Sequence, residues 1–406
     1  MTSSDAPTRA ARRAARSSTS SRPPVHARSR SRHRVGRAVA LTLVGVFAFA
    51  GTAAGALYYT LEHNITEVDI EALTVEALRP EAPEPDPEDP NGGRALNILL
   101  IGSDSRDGEN GAIGGDAPGM RSDTTMVMHV SADRTRVEVV SIPRDSIVDL
   151  PSCLTTNGEV PARAASPTTM FNSAFAYGWD RGQDIESAVS CTRTAVESLT
   201  DVRMDGFIVV DFTGFEHMVD AIGGVPITLD APINAPQADL DLPAGEQTLN
   251  GQQALGLARA RKGEGLNGSD LQRIDRQQDL LDAMASAILS KNLLTDTPAL
   301  IQFLSSATSS LTVSPNFSSI PELTGLALSL KNVSTDSIVF ETIPVADYPA
   351  DRNRVMWTSA ADEVWENMKN DIPIPVSESP SGTGISSPAP ADTAVEAPAT
   401  ADVVVP

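Results

Sequence analysis

The chain has 406 residues, 41% of them hydrophobic, and a formal net charge of −22. That length admits two or three domains on size alone, and so acidic a chain repels nucleic acid. The charge is uneven: residues 1–37 hold ten arginines and one aspartate, so the remaining 369 residues carry −31.

Residues 1–37 contain no large apolar side chain beyond Met1, Val25 and Val35. They cannot offset the entropy of folding and read as a disordered, Arg-rich cytoplasmic tail. Residues 38–60 carry no charge for 23 positions, enough for a helix to cross roughly 30 Å of hydrocarbon. Arg28, Arg30, Arg32, Arg34 and Arg37 precede this run, and Glu62, Glu67, Asp69 and Glu71 follow it. The positive-inside rule then predicts a single-pass plasma-membrane anchor, with the N-terminus cytoplasmic and everything beyond residue 60 extracellular. A cleaved signal peptide is the alternative, but the apolar run and its basic preamble are both long for that class. Residues 61–94, with Pro80, Pro83, Pro85, Pro87 and Pro90 set among acids, predict an extended, solvated stalk.

From Asn97 the pattern changes. Asn97–Ile101 is a charge-free strand-like run that stops at Gly102 and leads to Asp104 and Arg106; Arg121 and Asp123 open a second run, Thr124–Val130; a third, Val137–Ile142, ends at Pro143-Arg144-Asp145. Open α/β sheets place their chemistry beyond the strand ends, and here three strand-adjacent loops all deliver Asp and Arg. Arginine pairs bidentately with phosphate oxygens, and paired carboxylates suit a hard cation, so these loops form a plausible cradle for a metal and a phosphate.

Downstream, the patterns predict helices around 170–177 and 181–200, a strand over Gly206–Val210, a helix over Phe212–Ile222 stopped by Gly223-Gly224, and a strand over Pro226–Leu229. Residues 230–248, acidic and Pro-rich, read as loop. A short helix follows at Asn250–Leu257. The longest helix starts at Ser269, where Ser269 and Gln272 have capping-box spacing, with Leu271, Ile274, Leu281, Ala285 and Ile288 on its apolar face. Helices near 297–311 and 318–331, a strand over Ser337–Thr342 and a helix over Asp362–Lys369 complete an α/β alternation. Residues 372–406, rich in Pro, Ser, Ala and Thr, read as a disordered tail. Cys153 and Cys191, an even count on the oxidising side of the membrane, predict a disulfide, two buried thiols being the alternative.

A second cationic stretch, residues 259–277 (RARKGEGLNGSDLQRIDRQ), places Arg259, Arg261, Arg273 and Arg276 within eighteen positions of an acidic chain. This stretch, GSDSR, RSDT, SIPRD, NSAFAYG and DFTGFEHMVDAIGGVPI together resemble the LytR-CpsA-Psr family, the ligases that attach glycopolymers to bacterial cell walls. The resemblance runs from about Asn97 to Ser290, with its elements in order. It implies one extracellular α/β/α domain over 95–371, with a central mixed sheet and an apolar lipid tunnel. It implies transfer of a glycopolymer from a polyprenyl-pyrophosphate carrier to a peptidoglycan hydroxyl, with a surface-protein acceptor as a variant and pyrophosphatase as a side activity; a non-catalytic envelope regulator or lipid-binding protein is the competing class.

Carried onto this chain, the resemblance makes Asp104 and Asp123 the ligands of Mg²⁺ (or Mn²⁺). Arg121, Arg144, Arg259, Arg261, Arg273 and Gln277 become the pyrophosphate-binding set, and Asp270 joins the site. Asn172 and Ala176 lie near the substrate groove. Arg259 and Arg261 share a face only if their stretch is extended, and Arg276 reads as a helix-surface residue. The base that takes the acceptor proton is open between Asp123, Asp270 and metal-bound water; His129 and His217 read as packing residues.

Overall fold

The computed structural model of the protein describes residues 65–81, 93–104, 120–160, 169–290, 300, 303, 311–376 and 385–386. The basic tail, the apolar run 38–60, Arg106 and the Pro-rich segment 82–92 lie outside them. Among the described residues no helix is long and apolar enough to cross a membrane.

The strands are β1 (Thr66–Glu67), β2 (Leu96–Ser103), β3 (Ser122–Val130), β4 (Val137–Ile142), β5 (Cys153–Thr155), β6 (Gly158–Val160), β7 (Gly206–Val210), β8 (Val225–Leu229), β9 (Ile233–Ala235), β10 (Leu240–Leu242), β11 (Gly245–Leu249), β12 (Leu311–Val313), β13 (Ile338–Thr342), β14 (Val345–Tyr348), β15 (Asp351–Trp357) and β16 (Ile385–Ser386). The helices used below are α1 (Ser173–Gly182), α2 (Ile185–Thr200), α3 (Phe212–Ala221), α4 (Gly251–Arg259), α5 (Asp270–Ser290), α6 (Ile320–Ser329) and α7 (Ala360–Lys369).

A seven-stranded sheet runs in the order β1-β12-β7-β2-β3-β4-β13. It is mixed: β2 is parallel to β7 and antiparallel to β3, and β13 is parallel to β4. Side chains alternate across a strand, so β2 sends Leu99 and Ile101 to one face and Ile98 and Leu100 to the other. On the first face Leu99, Ile101, Val127, Phe207 and Val209 are at most 4% exposed, closed over by Val189 and Val196 of α2 and Val364 and Trp365 of α7. α1 packs so tightly on α2 that a Cβ at Gly178 would lie 2.2 Å from the Ser187 carbonyl oxygen. On the second face Leu281 of α5 and Leu323 and Leu326 of α6 pack against the sheet. On that face Leu100, Met128, Ile208 and Val210, on the three central strands, stay half-buried.

A separate core of Val219, Ile222, Ile227, Leu229, Leu257, Leu280 and Met284 joins α3, α4 and α5 to the small sheet β11-β8-β16. It fixes where α4 ends and α5 begins. α4 is started by a complete capping box between Asn250 and Gln253. At the head of α5, by contrast, Gln272 accepts from the Asn267 amide and the Ser269 amide donates to Asn267 Oδ1, so the expected Ser269–Gln272 box gives way to an Asn267-centred turn. α5 is enclosed on both sides, and no residue from 270 to 289 is exposed. Its buried positions are Arg273, Ile274, Arg276, Leu280, Ala283, Met284 and Ala287. A one-sided stripe therefore shares only Ile274 with them.

Other expectations are corrected. The stalk reading fails for its first part: β1 pairs with β12, Val68 and Ile70 enter the core, and Arg79 pairs with Glu197 at 2.7 Å. Residues 230–248 hold β9, β10 and most of β11, short strands whose polar outer faces hid the pattern. Leu311 begins a strand, not the end of a helix, and the β14–β15 hairpin was not anticipated. Within the expected tail, Ile374 and Ile385 are buried and β16 pairs with β8.

Cys153 of β5 and Cys191 of α2 form a disulfide that closes a separation of 38 residues. Replacing both by alanine is expected to cost about 2–4 kcal/mol, from regained freedom of the unfolded chain. Urea unfolding of the oxidised and double-alanine proteins checks this, and equal midpoints would contradict it.

Candidate active site

The sheet brings the charged loops to one edge. Gly102 pairs with both Val210 and Thr124, and Thr125 pairs with Ile142. Thus the ends of β2, β4 and β7 and the start of β3 lie side by side. Asp104 follows β2, Asp123 opens β3, Arg144 follows β4, and Phe212 follows β7.

α5 closes over this edge. Arg273 Nη2 donates to the Asp123 carbonyl oxygen at 3.2 Å. Thr124 Oγ1 donates to Gln277 Oε1 at 3.2 Å, and Gln277 Nε2 donates to the Ala258 carbonyl at 3.0 Å. Both ends of the Gln277 amide are therefore engaged with protein, which makes it a brace for α4 and β3.

Asp270 is the hub. Its Oδ1 lies 2.9 Å from Arg273 Nη2, 3.4 Å from Arg144 Nε and 3.6 Å from Arg261 Nη2, and its side chain is only 14% exposed. Arg144 also pairs with Asp123 at 2.5 Å and lies 3.6 Å from Asp145. Burial works against the charge of Arg144, but Asp123, Asp270 and Asp145 outweigh it and raise its pKa. For Arg273 burial dominates, reinforced by the neighbouring Arg144 and Arg261, and lowers the pKa. Three guanidinium groups gather here, in a chain that is otherwise strongly negative. That is a locus for a multiply charged anion with oxygens in guanidinium reach.

The remaining predicted residues flank the hub. Asp104 Oδ1 accepts from the Arg121 amide at 2.5 Å and the Asp104 amide donates back to the Arg121 carbonyl at 3.0 Å, so the backbone of Arg121 is tied down while the residue stays exposed at the rim. Arg259 ends α4 and lays its guanidinium 4.4 Å from the centre of the Phe212 ring, whereas Arg261 turns to Asp270. The two do not run together along an extended face. The amide of Asn172 donates to the Arg144 carbonyl at 3.1 Å, which ties α1 to the site.

Two residues were misread or missed. Arg276, expected on the surface, is 1% exposed and is the largest fully buried side chain described. Arg354, in the β14–β15 hairpin, holds Asp145 at 2.8 Å and so backs Arg144. No local signal marks Arg354, because its partner is 209 residues away. His129 is fully buried between Asn97 and Asp371, at 2.7 and 3.1 Å, and His217 is exposed on α3; neither belongs to the network around Asp270.

Among the described residues no three His, Cys, Asp or Glu side chains gather as a metal cage. Asp104 and Asp123, which flank the Ser103–Ser122 pairing of adjacent strands, are the two carboxylates that could serve a hard cation of the Mg²⁺ kind, which takes one or two carboxylates and leaves its other positions to phosphate and water; one oxygen of each is engaged by the Arg121 amide and by Arg144.

The sequence profile of the LytR_cpsA_psr family matches residues 58–370. The chain belongs to the LytR_cpsA_psr family. Among its curated relatives, the cell wall biosynthesis protein LcpA of Corynebacterium glutamicum is 31% identical over 269 residues, covering 62% of this chain and 50% of the relative. The probable cell wall biosynthesis protein LcpB of the same organism is 34% identical over 277 residues, 66% of this chain and 59% of the relative. The polyisoprenyl-teichoic acid–peptidoglycan teichoic acid transferase TagT of Bacillus subtilis is 29% identical, covering 47% of this chain and 52% of TagT. The chain thus spans about half the length of these curated relatives. Among solved structures, the LytR-Csp2A-Psr enzyme from Actinomyces oris matches with a TM-score of 0.52 at 16% identity, covering 75% of this chain and 96% of that one. TagT bound to LIIa-WTA matches with a TM-score of 0.51 at 22% identity, covering 75% of this chain and 99% of that one. These likenesses establish the LytR_cpsA_psr fold with its central mixed sheet.

Proposed function

We propose that the protein is a membrane-anchored transferase that moves a glycopolymer from a polyprenyl-pyrophosphate carrier onto a peptidoglycan hydroxyl outside the cell. The observation that carries this reading is the convergence of Arg144, Arg261 and Arg273 on Asp270 at the sheet edge, next to the Asp104–Asp123 pair. Diphosphate chemistry calls for fixed positive charge with fork geometry, and the cluster supplies it. The half-buried Leu100, Met128, Ile208 and Val210 on the sheet face that α5 and α6 cover support an apolar berth for the isoprenoid. The uncharged run 38–60 supports the anchor.

In this reading the acceptor oxygen attacks the sugar-side phosphorus, the bond to the bridging oxygen breaks, and polyprenyl phosphate leaves. Arg144, Arg261 and Arg273 spread the charge that builds on the phosphoryl oxygens. Asp123, 43% exposed, is the carboxylate we assign to take the acceptor hydroxyl proton; Asp270 is enclosed by guanidinium groups and serves as their anchor. Asp104 and Asp123 would hold Mg²⁺, which neutralises diphosphate charge when bound.

The test uses the full chain in detergent with a polyprenyl-pyrophosphate saccharide and peptidoglycan fragments. Transfer is expected with Mg²⁺, and EDTA should abolish it. Lipid phosphate released without acceptor would instead mark a pyrophosphatase, and glycan captured only by surface proteins would move the acceptor. No turnover of any kind, with no isoprenoid found by mass spectrometry in the purified protein, ends the proposal.

A further inference from the structure

The side chain of Arg276 is enclosed, and among the described residues it makes no ion pair, although Asp275 and Asp279 lie near enough to favour its charge. Its Nη2 donates to the Ala260 carbonyl oxygen, while Nε and Nη1 meet no hydrogen-bond acceptor among the described residues. Burial, with Arg273 adding to it, lowers its pKa to about 10. A buried cation with idle donors is an expensive way to fill space, and an apolar side chain of similar volume would serve packing as well or better.

What Arg276 touches explains its presence. α4 ends at Arg259, and its last carbonyls have no partner within the helix. Ala260 then leaves the helix with φ −60° and ψ 128° and is itself buried. Two consecutive residues of α5 reach back to this terminus: Arg276 to the Ala260 carbonyl and Gln277 to the Ala258 carbonyl. They bracket Arg259, and the next residue after the bracket is Arg261. A guanidinium at a helix C-terminus also opposes the negative end of the helix dipole. The sharp exit at Ala260 is what sends Arg259 toward Phe212 and Arg261 toward Asp270.

We infer that Arg276 is a positioning residue: by holding the Ala260 carbonyl it sets the direction in which Arg259 and Arg261 present their guanidinium groups to the anion. This rests on the diphosphate reading of the site. It makes α5 the ruler for the whole cationic set, since Arg273 binds directly while Arg276 places two partners from the other segment.

The experiment compares wild type, Arg276→Met and Arg276→Lys as full chains, using inorganic pyrophosphate as the probe in titration calorimetry. Arg276→Met should still fold, with a modestly lower unfolding midpoint from the unmet Ala260 carbonyl, and bind pyrophosphate about ten- to a hundredfold more weakly, as misplacement of fixed ligands does. Arg276→Lys retains one donor for Ala260 and should recover most of the affinity. Unchanged binding in Arg276→Met overturns the inference, as does an Arg276→Lys protein that folds normally but binds no better than Arg276→Met. If Arg276→Met does not fold, the Lys comparison with wild type decides. If wild type itself ignores pyrophosphate, the diphosphate reading falls instead. The positioning role is then judged by amide hydrogen exchange over 258–262: faster exchange in the substituted proteins sustains it, and unaltered exchange removes it.

Discussion

Arg144→Ala should lose about 10²–10³-fold in transfer rate, the scale of removing one preorganised charge donor from a reacting oxyanion, with its unfolding transition nearly in place. The fold is expected to survive because each carboxylate that Arg144 touches keeps another recourse. Asp145 retains Arg354 at 2.8 Å, Asp270 retains Arg273 at 2.9 Å, and Asp123 is 43% exposed and can be solvated. Arg144 itself stands on a rigid corner: Pro143 precedes it, and its carbonyl accepts from the Asn172 amide. Its loss should therefore appear in the rate and hardly in stability. Arg144→Lys keeps a charge without the planar fork and should recover little of the rate. A rate equal to wild type, from protein with an unaltered melting curve, would remove Arg144 from the reaction.

Asp270→Asn should be damaging in both respects. The substitution is nearly isosteric, but it takes the shared negative charge from among Arg144, Arg261 and Arg273. Arg261 is 42% exposed and can swing to water, whereas Arg273, 4% exposed, and Arg144, 17% exposed, cannot. Removing one partner of a buried pair typically costs about 3–5 kcal/mol. Transfer should fall as well, because the guanidinium groups spread apart and no longer present one binding geometry. Pyrophosphate supplies a negative charge at the same place, so it should raise the melting temperature of Asp270→Asn more than that of wild type. Identical melting curves for the two proteins, with and without pyrophosphate, would show that Asp270 is no hub.

Strand runs that are buried on one or both faces were readable from composition and alternation. β2, β3, β4, β7 and β13 stand within a residue or two of their expected bounds. So do α3, α4, α5 and α7, whose starts are marked by side-chain caps or by a change of hydrophobic period. The short strands β9, β10 and β12 and the hairpin β14–β15 escaped, because a three- to seven-residue strand interrupted by polar positions carries too few apolar residues to distinguish it from loop. The stretch 65–81 was misread for a related reason. Its acids and Pro80 describe its solvent side, while its hold on the domain comes from Val68, Ile70 and the Arg79–Glu197 pair, partners more than a hundred residues away.

By itself, the order of residues determined an α/β domain in the LytR_cpsA_psr pattern, the two segments that carry its arginines, and the loops after β2 and β4 as the place where they would act. Those features are local: a run of apolar residues, a turn, a charge next to it. Only the tertiary structure decided that Asp270 rather than Asp123 collects three guanidinium groups, that Gln277 braces instead of reaching outward, that Arg354 stands behind Asp145, and that Arg276 is buried. Each of these depends on what α5 meets when it crosses the sheet edge and the end of α4. The deepest face of α5, Arg273, Arg276, Leu280, Ala283 and Ala287, repeats at helical spacing, but two arginines at its head read as solvent-facing until the carbonyls and carboxylates they meet are in view.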